Sequence, residues 1–124
     1  YMTKLLVVED DLLLDEAYRR KFGDNFDVRV ATDGEMGIKM ADSFVPDAIV
    51  LDIYMPGRFN GLDVLKEIKK NAKTADIPII VVTNLPDSVD RVMEMGATKC
   101  FMKTDVDLNN IEEEIRTLTE KKTQ

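Results

Sequence analysis

The chain of 124 residues has no histidine and a single cysteine. Without histidine it cannot carry a phosphohistidine of its own. Cys100 has no partner for an internal disulfide, which fits a reducing cytosol. No apolar run approaches the roughly 20 residues of a membrane-spanning helix, and no signal-peptide pattern opens the sequence. Basic charge is scarce: 17 Lys and Arg against 24 Asp and Glu leave a net charge of −7, which disfavours direct nucleic-acid binding by this chain alone. Internal repeats, low-complexity tracts and linkers are missing as well. Tyr1 ahead of Met2 reads as a residue left over from expression, so the chain is expected to be an excised piece of something longer. With 44% hydrophobic and 33% charged residues, the balance is that of one soluble globular domain over 1–124, its core within 3–122.

Strand-like and helix-like stretches alternate along the chain. Leu5–Val8 is a short apolar run, followed by a helical pattern over about Leu12–Phe22 with Leu14, Ala17 and Tyr18 on one face. Gly23-Asp24-Asn25 ends it. Val28-Arg29-Val30 alternates as an edge strand does. Gly34–Phe44 is helical with Met40, Ala41 and Phe44 inward, and Pro46 stops it. Ala48–Leu51 is a second buried run ending at Asp52, ahead of the turn signal Met55-Pro56-Gly57. A helix over about Leu62–Ala72 carries Leu65, Ile68 and Ala72 on one face, and Ile77–Thr83 is a long β-branched run. Pro86-Asp87-Ser88 starts a short helix that ends near Gly96. Cys100–Met102 is a short strand closed by Lys103. The last helix lines up Leu108, Ile111, Ile115 and Leu118, with Glu112, Glu113 and Glu114 outside.

Five βα units in a row predict a parallel sheet covered on both faces, a three-layer doubly wound α/β domain. In such sheets ligands gather at the carboxyl ends of the strands. Glu9, Asp10, Asp52, Thr83 and Lys103 all fall there. Carboxylates in a cluster suit Mg²⁺, a hard cation with oxygen ligands. A hydroxyl and an ammonium suit phosphoryl oxygens, and a carboxylate can itself be the nucleophile that becomes an acyl phosphate. Each residue also has a plainer reading. An Asp after a strand is often a helix cap, as expected for Asp11, while Thr is an ordinary β-former and a lysine can simply end a strand.

Taken together in order, Val7-Val8-Glu9-Asp10-Asp11, Leu51-Asp52-Ile53-Tyr54-Met55-Pro56-Gly57, Val81-Val82-Thr83-Asn84 and Phe101-Met102-Lys103 resemble the receiver domain of two-component response regulators, over essentially the whole chain. The resemblance implies a flavodoxin-like (βα)5 fold with strand order 2-1-3-4-5. It implies Asp52 as phosphoacceptor, Thr83 as switch hydroxyl and Lys103 as phosphate-contacting lysine. Mg²⁺ would be held by Asp10, Asp52 and the Tyr54 backbone carbonyl, with Glu9 acting through water. A histidine kinase or histidine phosphotransfer protein would donate the phosphoryl group in the cytoplasm. Output would pass to an effector domain or downstream protein through the fourth helix, fifth strand and fifth helix. The chain would be a signalling module that catalyses only its own phosphorylation and dephosphorylation.

The sequence departs from that family at four places. The loop Gly57-Arg58-Phe59-Asn60 carries one extra residue and is expected to bulge near the site. Asn84 stands where a small residue is usual. Thr104 replaces the customary proline after Lys103, so a cis bond is not expected there. Cys100 occupies the aromatic switch position, with Phe101 one place later and on the opposite face. Two other classes share features of this pattern. A haloacid-dehalogenase-type phosphatase would need an acid two residues after Asp52, where Tyr54 stands. A flavodoxin-like FMN carrier would need a hydroxyl- and glycine-rich phosphate loop after the first strand, where Glu9-Asp10-Asp11 would repel the phosphate.

Overall fold

The computed structural model describes residues 2–55, 57–105 and 107–120. Pro56, in the expected Met55-Pro56-Gly57 turn, lies outside the described residues, as do Tyr1 and the final residues 121–122 of the expected core. Elements alternate as β1 (Lys4–Val8), α1 (Leu12–Phe22), β2 (Asp27–Ala31), α2 (Gly34–Phe44), β3 (Ala48–Asp52) and α3 (Gly61–Lys70). Then follow β4 (Ile79–Thr83), a 3₁₀ turn (Pro86–Ser88), α4 (Val89–Glu94), β5 (Lys99–Met102) and α5 (Leu108–Glu120). The strands form one parallel sheet of order β2-β1-β3-β4-β5.

The central strands carry near-continuous apolar sequence because helices cover both of their faces. Leu6, Val8, Ile49, Leu51, Ile79 and Val81 point to one side, against Ala41 and Phe44 of α2, Val64, Leu65 and Ile68 of α3 and Val92 of α4. Leu5, Val7, Val50, Ile80 and Val82 point to the other, against Tyr18 and Phe22 of α1 and Ile111 and Ile115 of α5. Tyr18 stacks on Phe22 with ring centroids 5.8 Å apart, and Phe26 meets Phe22 edge-on at 6.0 Å.

Local chemistry sets the helix starts next to the strand ends. Asp11 accepts from the N–H groups of Leu13 and Leu14 at 3.0 and 3.2 Å, so it is the cap of α1 that its position suggests. Asn60 and Asp63 form a reciprocal capping box at α3, each bond 3.0 Å long. Gly61 must be glycine, because a Cβ there would lie 2.3 Å from the Asp52 carbonyl oxygen. The first turn of α3 is therefore pressed against the backbone that carries Asp52.

Three expectations are corrected. Ala72 is exposed and follows the end of α3; the inward face is Val64, Leu65 and Ile68, and Thr74 closes the turn by donating to the Ile68 carbonyl at 2.7 Å. The regular part of the fourth strand starts at Ile79, two residues after the apolar run begins, because Pro78 lacks the N–H a central ladder needs. On α1 the buried residues are Asp15, Tyr18 and Phe22, while Leu14 and Ala17 are only half-buried. That rotation places an acid inside.

Candidate functional site

Parallel pairing brings the carboxyl ends of β1, β3, β4 and β5 to one edge of the sheet. Glu9 follows β1, and its backbone N–H still donates to Ala31 of β2 at 3.0 Å. Asp52 ends β3 in register with Val82 of β4. Lys103 follows β5, with its N–H bonded to the Thr83 carbonyl at 2.7 Å. Glu9, Asp10 and Asp52 offer oxygens that all lie within 4.8 Å of one another. Glu9 and Asp52 are buried, at 2% and 4% exposed. The Lys103 ammonium sits 2.8 Å from a Glu9 oxygen and 3.5 Å from an Asp52 oxygen. The second oxygen of each acid is also partnered: Asp11 N–H donates to Glu9 at 3.2 Å and Tyr54 N–H to Asp52 at 3.3 Å.

Three carboxylates face one ammonium, so full ionisation would leave two negative charges without a local counter-charge. Burial raises the pKa of Glu9 most, with Lys103 pulling it back and Asp52 adding to the rise. Burial also raises Asp52, opposed by the Glu9 contact and Lys103. Asp10 is raised by partial burial and then by Glu9. Burial alone would lower Lys103, yet Glu9 and Asp52 together raise it. Carboxylates that resist ionisation while held within coordination range of one another form an oxygen-rich site suited to a hard divalent cation.

A cleft of about 330 Å³ opens above this cluster, lined by Asp10, Asp11, Asp52, Tyr54, Asn84, Leu85 and Lys103. Tyr54 and Leu85 stand exposed at its rim, 75% and 45% accessible. Asn84 lines it too. Thr83 ends β4 as expected but is fully buried, and its hydroxyl turns into its own loop. None of residues 57–60 is among those lining the cleft, whereas the sequence reading expects a bulge of this loop near the site. The loop swings toward α2, bringing the Phe59 carbonyl against Gly34 while Gly57 takes a positive φ of 105° in open space. The Lys103–Thr104 peptide is trans.

Asp15 is the residue that sequence reasoning missed. It is fully buried and neither oxygen has a hydrogen-bond partner. Burial first, then the nearby charge of Glu9, pushes its pKa up to about 7. The signal was available: Asp15, Tyr18 and Phe22 fall at i, i+3 and i+7 of one helical stripe.

A phosphatase of haloacid-dehalogenase type is not favoured, since Tyr54, at the position of its second acid, is an exposed rim residue. A strand-end carboxylate cluster with a lysine, at the carboxyl edge of a 2-1-3-4-5 sheet, is the arrangement of a signalling receiver domain. The chain belongs to the response regulator receiver domain family, whose model matches residues 5–116. It is 35% identical to the response regulator ArlR of Staphylococcus saprophyticus over 105 residues, covering 82% of this chain and 46% of that protein. It is 38% identical to the transcriptional regulatory protein CiaR of Streptococcus pneumoniae over 102 residues, 82% of this chain and 45% of that one. The chain thus spans about half the length of these relatives. In structure it is similar to the response regulator TrrA of Thermotoga maritima in complex with Mg²⁺ and beryllofluoride: TM-score 0.82, 28% identity, 94% of this chain and 99% of that one. No helix among the described residues is long and apolar enough to cross a membrane.

Proposed function

We propose that this receiver domain accepts a phosphoryl group on Asp52 from a phosphohistidine on a histidine kinase or phosphotransfer protein. An Asp52 carboxylate oxygen attacks phosphorus in line. The P–N bond of the donor breaks as the acyl O–P bond forms, and the released imidazole leaves with the electron pair and takes up a proton. The observation that carries this reading is the Asp52 carboxylate, 4% exposed yet opening on the cleft, 3.5 Å from the Lys103 ammonium.

Asp10, Asp52 and the Tyr54 carbonyl would hold Mg²⁺, with Glu9 acting through water. When bound, the metal neutralises charge on the transferring group. The chain's own residues do the rest. Lys103 is kept charged by Glu9 and Asp52 and is placed to pair with a phosphoryl oxygen. Asn84, Leu85 and Tyr54 limit the water that reaches the acyl phosphate. Residues 1–124 act as one receiver domain in the cytoplasm. The face of α4, β5 and α5 passes the change to an effector domain or downstream protein. Incubation with Mg²⁺ and a small acyl phosphate should add one phosphoryl group by intact mass, and Asp52→Asn should abolish it. Equal labelling of both proteins would remove Asp52 from the mechanism.

A further inference from the structure

The loop between β4 and α4 is closed by two hydroxyl side chains. Leu85 N–H donates to Thr83 Oγ1 at 3.0 Å. Ser88 Oγ lies 2.6 Å from the Leu85 carbonyl oxygen and 3.4 Å from Thr83 Oγ1. A serine has one hydroxyl proton, and a carbonyl oxygen can only accept. The short contact therefore takes the Ser88 proton, which leaves Thr83 as the donor in the long one. The Thr83 proton and one of its two lone pairs are thus engaged inside its own loop, and the residue is 0% exposed. Ser88 precedes α4 at the cap position yet makes no capping hydrogen bond. Its hydroxyl serves the loop, not the helix.

We propose that Ser88 is a positioning residue that holds the Thr83 hydroxyl in its phosphoryl-free arrangement, in competition with the phosphoryl oxygen Thr83 would otherwise bind. This rests on the assignment of Thr83 as the phosphoryl-binding hydroxyl. Thr83 has one proton to give, so a bond to a phosphoryl oxygen requires that the bond to Ser88 be broken. A charged phosphoryl oxygen is the better acceptor, and the Ser88 contact at 3.4 Å is long, so the competition favours the phosphorylated state once it forms. Ser88 sets how far the unphosphorylated population stays from that arrangement, because a ligand shifts an equilibrium only by its differential contacts with the two states.

Titration with beryllofluoride in the presence of Mg²⁺, followed by calorimetry, tests this. Ser88→Ala should bind the phosphoryl mimic more tightly, by at most about fivefold, the ceiling set by one ordinary hydrogen bond removed from the competing state. Ser88→Thr, which keeps the hydroxyl, should bind as the parent does. Thr83→Val keeps the branched shape without the hydroxyl and should bind more weakly. Adding Ser88→Ala to Thr83→Val should change nothing further. Without metal or mimic, NMR couplings should show one Thr83 χ1 rotamer in the parent and averaging in Ser88→Ala. Unchanged affinity in Ser88→Ala beside a weakened Thr83→Val overturns the latch and leaves the role of Thr83 standing. Equal tightening by Ser88→Ala in both backgrounds also overturns it, because the effect would not pass through Thr83. Unchanged affinity in Thr83→Val itself removes the role of Thr83 and the latch with it.

Discussion

Replacing Asp15 with Asn should stabilise the protein, and by an amount that depends on pH. Asp15 is fully buried on the inner face of α1 with no partner for either oxygen. Burial and the Glu9 charge raise its pKa from an ordinary 3.8 to about 7, with Arg19 one turn on only partly opposing them. A carboxyl whose folded pKa lies above its unfolded pKa binds its proton more tightly in the folded state. Folding is therefore unpenalised below about pH 4, loses stability as pH rises from 4 to 7, and carries the full penalty above 7. A shift of about 3 units corresponds to about 4 kcal/mol at the plateau, which is a ceiling because some water reaches any charged group. Asn cannot ionise and stands in for the protonated acid.

The gain in Asp15→Asn should therefore be near zero at pH 4, grow through pH 5 and 6, and level at about 2–4 kcal/mol by pH 8. That is a large part of the 5–15 kcal/mol a domain usually has. Urea unfolding followed by circular dichroism, in matched buffers from pH 4 to 8.5, gives the difference curve directly. The Asp15 charge also repels Glu9 and Asp10, so the difference curve reports Asp15 together with its coupling to those two acids. A flat difference curve, or a loss of stability at pH 8, would refute the claim that the carboxylate is buried without a partner.

Other perturbations report on the cluster and its supports. Millimolar Mg²⁺ should raise the melting temperature by mass action, less so as falling pH protonates the raised carboxylates, and Asp10→Asn should blunt the response; no shift at pH 7.5 would argue against the site. Gly61→Ala forces a Cβ to within 2.3 Å of the Asp52 carbonyl oxygen. It should cost about 2–3 kcal/mol in urea unfolding and weaken the Mg²⁺ response as well, and parent-like stability would contradict the packing described. Phe101 packs with the α1 and α5 side while Cys100 packs on the opposite side of the sheet. Structures with and without beryllofluoride should therefore show Phe101 in one rotamer while Thr83 moves, and a Phe101 ring swinging beside a still Thr83 would be the contrary result.

The order of elements, the buried runs and the strand-end acids were legible in sequence because they are local. A strand buried on both faces must be apolar throughout, as Leu5–Val8 and Ala48–Leu51 are, and Asp11 declares a helix start by its own hydrogen-bonding chemistry. Glu9, Asp10, Asp52 and Lys103 followed from the rule that parallel strands end at one edge. Side-chain direction needed the tertiary structure. Helical spacing allowed either a Leu14, Ala17 and Tyr18 face or an Asp15, Tyr18 and Phe22 stripe, and the packing of α1 on the sheet selects the second and buries Asp15. Spacing likewise carried α3 on to Ala72, which a side-chain bond from Thr74 cuts off. The sequence reading puts the bulge of the 57–60 loop near the site, but where the loop leans depends on Gly34 leaving room for the Phe59 backbone. Sequence also did not say which way the Thr83 hydroxyl faces. Its partners are a backbone N–H two residues on and a serine five residues on, and only the fold of the loop brings them within reach.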